Sequence, residues 1–230
     1  TSISSLSNVE NSTTSGNSFL DIGAVVKASQ AIAGEIHLVK LLKKMMEIVL
    51  ENAGAEKGFF LLKNKQDWMI QAEGNSGSKI IEVLQSKPFF ISDEENISSP
   101  LNFSSTIVNY VIRTQTIVLL DNASDQNIFI GDSYILNNQP KSILCFPLMN
   151  QGEIVGIMYL ENNLTTYAFT PSRVELLKII SSQIAVSIEN SLLYANLEEK
   201  VAERTNQLEE AHRTILVLEK DATEKQLAGG

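Results

Sequence analysis

The side chains able to do chemistry are few, and their settings argue against most of it. Cys145 sits inside the apolar run Ser142–Met149, between Leu144 and Phe146. A covalent attachment point or redox sensor needs an exposed, electropositive setting, so Cys145 reads as a small buried hydrophobe. His37 stands at the start of an apolar-periodic segment and reads as an exposed helix-start residue; a haem ligand needs a deep pocket beside it. His212, followed by Arg213 and Thr214, reads as a solvated histidine in preference to a phosphoacceptor. The acidic loop Asp121–Asp132 lacks the sixth-position glycine and twelfth-position glutamate of a helix-loop-helix calcium site, so Asx turns explain it better. Phe59, Phe129, Tyr134, Met158 and Tyr159 could line a ligand pocket, but such residues more often fill a core. Phosphate-loop, nucleophile-elbow, zinc-helix and dinucleotide motifs are all missing. Two histidines and one cysteine, far apart, make no zinc site.

The elements that must carry these residues alternate between helical and strand periods. Residues 1–18 are mostly Ser, Thr and Asn and read as a flexible linker. Leu20 to Ile32 fit a first helix ending near Gly34, and Leu38 to Val49 a second ending near Gly54. Lys57–Asn64 and Asp67–Gly74 predict a hairpin. Ser78–Ser86 fits either a strand or a short helix, and Asp93–Pro100 is a polar loop. Ser104 or Ser105 can cap a helix stopping near Thr114. Thr116–Leu120 predicts a short strand, and Ser133–Gln139 at most two helical turns. Ser142–Met149 and Ile154–Leu160 form the clearest hairpin. Both arms are apolar at odd and even positions alike, as in a sheet covered on both faces. These elements predict an α+β domain.

The last element is the longest. Thr170 and Pro171 suit an N-cap and first helical position, and no proline or glycine follows until Gly229. Such a helix is on the order of 80 Å long. Leu177, Ile180, Ile184 and Ile188 make a stripe suited to a core. From Tyr194 the spacing becomes a heptad seam: Leu197, Val201, Arg204, Leu208, Ala211, Ile215, Leu218, with Arg204 as its polar break. The expected organisation is a linker (1–18), a globular domain (19–193) and a coiled-coil helix (194–228).

Composition narrows the partners. The net charge of −9 over 230 residues, with no basic stripe, argues against nucleic acid and anionic membranes. Apolar runs are too short for a spanning segment and no signal peptide begins the chain. A single cysteine suits a reducing, cytoplasmic setting.

Several segments together resemble a GAF domain: VLLDNASDQNIF, PKSILCFPL, NQGEIVGIMYLEN, FTP and SIENSLLY. LDIGAVVKASQAIAGE and ENAGAEKGF are similar to the GAF domain of large bacterial, especially cyanobacterial, sensor kinases. In those proteins a serine/threonine-kinase-like region precedes the domain and a histidine kinase follows it. The resemblance covers roughly Leu20 to Thr205. It implies a central antiparallel sheet of about six strands, helices on one side and a ligand pocket on the other. It implies pocket residues Asp121, Asp125, Phe129, Tyr134, Ser142 and Glu161, and a homodimer through the first and last helices and the coil. NLEEKVAERT resembles the signalling coil before a phosphoacceptor helix, so kinase catalysis is expected outside this chain. Where cyclic-nucleotide-binding relatives carry Asn-Lys and later Asp-Glu, Asn162-Asn163 and Arg173-Val174 stand here. Cys145-Phe146 does not match the bilin-binding arrangement. No cofactor is required by the sequence. The function implied is a regulatory sensor module of a two-component kinase. The alternatives are a ligand-free dimerisation module, a chromophore- or haem-bearing sensor, and a methionine-sulfoxide-reductase-like enzyme, for which one cysteine leaves no resolving partner.

Overall fold

The computed structural model describes residues 29–30, 32, 34–65, 67–77, 80–89, 101–125 and 128–228. Of the first expected helix, Ser29, Gln30 and Ile32 are helical and Gly34 is a turn. Its remainder, the linker and the loop 93–100 lie outside the described residues.

Helix α1 spans Leu38–Ala53 and buries Leu41, Leu42, Met45, Met46 and Val49, the broad stripe its sequence predicts. It ends at Gly54, whose φ of 68° supplies the left-handed C-terminal position. Strands β1 (Lys57–Asn64), β2 (Asp67–Asn75) and β3 (Ile80–Phe89) follow. The ambiguous segment after Ser78 is therefore a strand, paired antiparallel with β2. Its Pro88 is tolerated because β3 is an edge of the sheet. Next come α2 (Ser105–Thr114), β4 (Val118–Leu120), α3 (Ser133–Asn138), β5 (Ser142–Asn150) and β6 (Glu153–Asn162). Helix α4 runs from Pro171 to Ala228.

The strands form one six-stranded antiparallel sheet in the order β3-β2-β1-β6-β5-β4. Successive residues of the middle strands feed opposite faces, as the period of two requires. Phe60, Leu62, Leu144, Phe146, Met158 and Leu160 join a core with α1 and the first part of α4. Phe59, Leu61, Ile143, Cys145, Ile157 and Tyr159 join a second core with α2 and the loops around α3.

One feature of β1 and β2 positions α1. Gly58 and Gly74 are cross-strand partners. A Cβ at Gly74 would lie 2.4 Å from Met46 Cγ, and one at Gly58 2.8 Å from Met46 Sδ. The paired glycines thus form the seat that lets Met46 reach the sheet.

By length and composition alone, α4 holds a stretch apolar enough to cross a membrane, and 44% of that stretch is buried inside the domain.

Candidate functional site

The face of the sheet opposite α1 and α4 carries a buried polar network, built from the ends of three elements. Glu161, near the end of β6, is completely buried. A buried carboxylate must be met by donors. Tyr134 of α3 donates its phenol proton between the two carboxylate oxygens, at 3.0 and 2.9 Å. Tyr159, two residues back on β6 and on the same face, donates from 3.1 Å. Lys57, the cross-strand partner of Glu161, brings Nζ to 3.6 Å. Burial and the neighbouring carboxylate push both phenols well above the usual tyrosine range. The network therefore holds protons.

A second polar contact ties the same region together. Ser104 caps α2 by accepting from Ile107 N–H at 3.2 Å, and Asp132 caps α3 by accepting from Ile135 N–H at 2.9 Å. The two caps meet, since Ser104 Oγ donates to Asp132 Oδ2 at 2.9 Å. Around them Phe103 packs against Phe59 with ring centroids 4.9 Å apart and against Tyr159 at 5.6 Å. α3 is thus held to the sheet by Tyr134 and to α2 by Asp132.

The six pocket residues expected from the resemblance separate into distinct settings. Tyr134 and Glu161 are bonded to each other. Ser142 is buried elsewhere: its hydroxyl lies 3.0 Å from the Asp121 carbonyl and 3.1 Å from that of Thr165, and accepts from Ala168 N–H at 3.2 Å. Asp121 joins this knot through its backbone, which also accepts from Tyr167 N–H at 2.7 Å. Phe129 is buried edge-on to Tyr110, with centroids 5.4 Å apart. Asp125 is exposed on a loop turned by Asn122, whose side chain accepts from Ser124 N–H at 3.3 Å. Sequence reasoning did not single out Lys57, Ser104 or Asp132 for the site; capping rules mark Ser104 and Asp132, whereas Lys57 arrives only through the register of β1 on β6.

The other candidate residues are placed as their surroundings suggested. Cys145 is completely buried and burial pushes its thiol up, so it offers no attachment point. His37 is exposed and its Nδ1 lies 3.1 Å from Glu35, whose carboxyl the His37 backbone N–H holds below the usual range. Met158 faces the α1 side, away from the polar network. His212 is exposed. Asn162 donates to the Gly54 carbonyl at 2.9 Å, and Arg173 to that of Ala168 at 2.8 Å. These two positions, which bear on cyclic-nucleotide recognition in the resemblance, here lock the ends of β6 and α1 and the start of α4.

On α4, Tyr194, Leu197, Val201, Leu208, Ile215 and Leu218 are all at least half-exposed or close to it, and Arg204 and Ala211 are exposed. A groove of about 340 Å³ opens between this helix and the residues leading into α1, lined by Ile36, His37, Val39, Tyr194 and Ala195.

The sheet order, the helices on one face and the capped helices on the other define a GAF-like fold. The GAF domain family model matches residues 37–188, and the chain belongs to this family. It is 26% identical to hybrid signal transduction histidine kinase G of Dictyostelium discoideum, over 84% of this chain and 8% of that protein. It is also 26% identical to the peroxide stress-activated histidine kinase mak3 of Schizosaccharomyces pombe, over 81% of this chain and 7% of that protein. The chain therefore spans less than a tenth of these relatives. Both are eukaryotic, so the cyanobacterial likeness rests on the segments quoted above. Among solved structures, the GAF domain of an Acinetobacter phosphoenolpyruvate-protein phosphotransferase shares the fold, with a TM-score of 0.54 and 16% identity over 77% of this chain and 97% of that one.

Proposed function

We propose that this GAF domain is the regulatory module of a cytoplasmic two-component sensor kinase, that it works as a homodimer, and that α4 relays its state to a kinase beyond it. One observation carries the reading. α4 begins in the core of the domain, with Leu177, Ile180, Ile184 and Ile188 fully buried. It then continues to Ala228, and among the described residues its seam from Tyr194 to Leu218 is exposed. A helix fixed at one end and unsatisfied at the other transmits to whatever pairs with its seam. The histidine kinases among its relatives support the kind of output; a serine/threonine kinase region in the same parent protein belongs to this reading through the resemblance.

The input enters in this reading from the network around Glu161, where α3 is held by two polar contacts that a small molecule would disturb. Light scattering across the micromolar range tests the assembly. A dimer is expected for the native chain and a marked shift toward monomer for Leu208→Glu/Ile215→Glu, whereas a native monomer throughout contradicts the proposal.

A second reading, a dimerisation module without ligand, is favoured by the completeness of that network, since Glu161, both phenols and both caps already satisfy one another. Thermal shift with cyclic nucleotides, 2-oxoglutarate and cofactor extracts separates the two. A ligand of the native state raises Tm; a flat response from an intact dimer favours pure assembly.

A further inference from the structure

Within the domain, α4 is apolar on two sides. Leu177, Ile180, Ile184 and Ile188 face the sheet. Ile179, Val186 and Leu193, each seven residues after the last, remain 43%, 39% and 56% exposed. At about 100° per residue these three share the side turned away from the sheet. Leu176, Gln183, Asn190 and Leu197 fall between and beyond them, giving an unbroken alternation of three and four up to Leu197. Past Leu197 the seam goes on through Val201, Arg204 and Leu208. The junction 193–197–201 therefore takes two steps of four in succession.

The structure forces this break. Carried back from Val201 and Tyr194 without a change, the coil's spacing lands on Ser187 and Ile180. Those residues are 5% and 0% exposed, sealed in the domain's own core. Leu193 belongs to the phase of the domain and its neighbour Tyr194 to the phase of the coil, and both are half-exposed.

We infer that α4 pairs with α4 of a second copy, parallel and in register, along the domain as well as the coil, and that the seam changes phase at Leu193–Tyr194. The inference rests on the dimeric reading above and specifies its geometry. The polar residues of the domain stripe fix the direction. In a parallel pair Gln183 and Asn190 each meet their own twin and can satisfy its amide, whereas antiparallel pairing sets them against apolar residues. An insertion of four residues locally unwinds a coiled coil. The layer at 193–194 is therefore where a small rotation of the domain exchanges Leu193 for Tyr194 in the seam. Tyr194 already lines the 340 Å³ groove beside Ile36, Val39 and Ala195, which receives its ring while Leu193 occupies the seam.

Single cysteines at Val186, Ser187, Leu193, Tyr194, Leu197 and Leu208, oxidised in the otherwise native chain, test this. The buried Cys145 contributes no background. All but Ser187 are exposed, and the melting temperature of each variant verifies its fold. Disulfide-linked dimer is expected from Val186→Cys, Leu193→Cys, Leu197→Cys and Leu208→Cys, with several-fold less from Tyr194→Cys and none from Ser187→Cys. Linkage at Leu208→Cys and Tyr194→Cys without linkage at Val186→Cys and Leu193→Cys overturns the phase change while leaving the dimer intact. No linkage at Leu208→Cys overturns the dimeric reading itself.

Discussion

Glu161 is the residue on which the polar side of the sheet converges, and its partners set measurable consequences. Tyr134→Phe removes one donor from a buried carboxylate that keeps Tyr159 and Lys57, so a loss of about 1–2 kcal/mol is expected in denaturant titration. Glu161→Leu strands two buried phenols at once and should cost more than Tyr134→Phe and Tyr159→Phe each cost alone. The phenols also fix a pH dependence. Both have folded pKa values raised above the unfolded value of about 10. The unfolded chain therefore releases these protons first, and stability falls as pH rises past about 10. Tyrosinate absorbance should show two phenols ionising only with unfolding, and one in Tyr134→Phe; two phenols that ionise with the fold intact contradict the buried network. Much of this was readable from residue types. The apolar neighbours of Cys145 gave its burial, and the spacing of Tyr159 and Glu161 put them on one face. What was not readable is where loop acids aim: Asp121 contributes its carbonyl, and Asp125 is exposed, because the path of a loop is set by local turns that spacing alone does not define.

At the scale of elements, the strands declared themselves through period and through runs apolar on both faces, and the caps at Ser104 and Gly54 fell where the sequence put them. β3 did not, because an edge strand containing Pro88 and a shift of register against β2 has no clean alternation. Nor did the seat of Met46, which depends on Gly58 and Gly74 being opposite one another, a matter of register. Gly74→Ala is expected to cost about 1–3 kcal/mol through overpacking. Met46→Ala in the same chain should recover part of that loss, so the double-mutant cycle shows coupling. Strict additivity would mean that α1 does not rest on this pair.

The whole molecule is organised by α4, which among the described residues is core on one side and exposed on the other. The sequence displayed the heptad spacing from Tyr194 plainly. It did not display the change of phase, because only burial reveals that the positions seven and fourteen residues before Tyr194 are occupied by the domain's own core. Ending the chain after Leu193 removes the heptad half of α4 but keeps the exposed stripe of the domain half, so the proposed pairing predicts weakened self-association in sedimentation equilibrium, with the melting temperature of the domain little changed. The account's central claim is that two copies carry state outward along paired, parallel α4 helices. Spin labels placed singly at Glu199 and at Arg213, read by pulsed dipolar spectroscopy, test it most directly. Helices packed about 8–10 Å apart in register give one short intermolecular distance at each site. A short distance at one site with a long one at the other, or no intermolecular coupling at either, contradicts it.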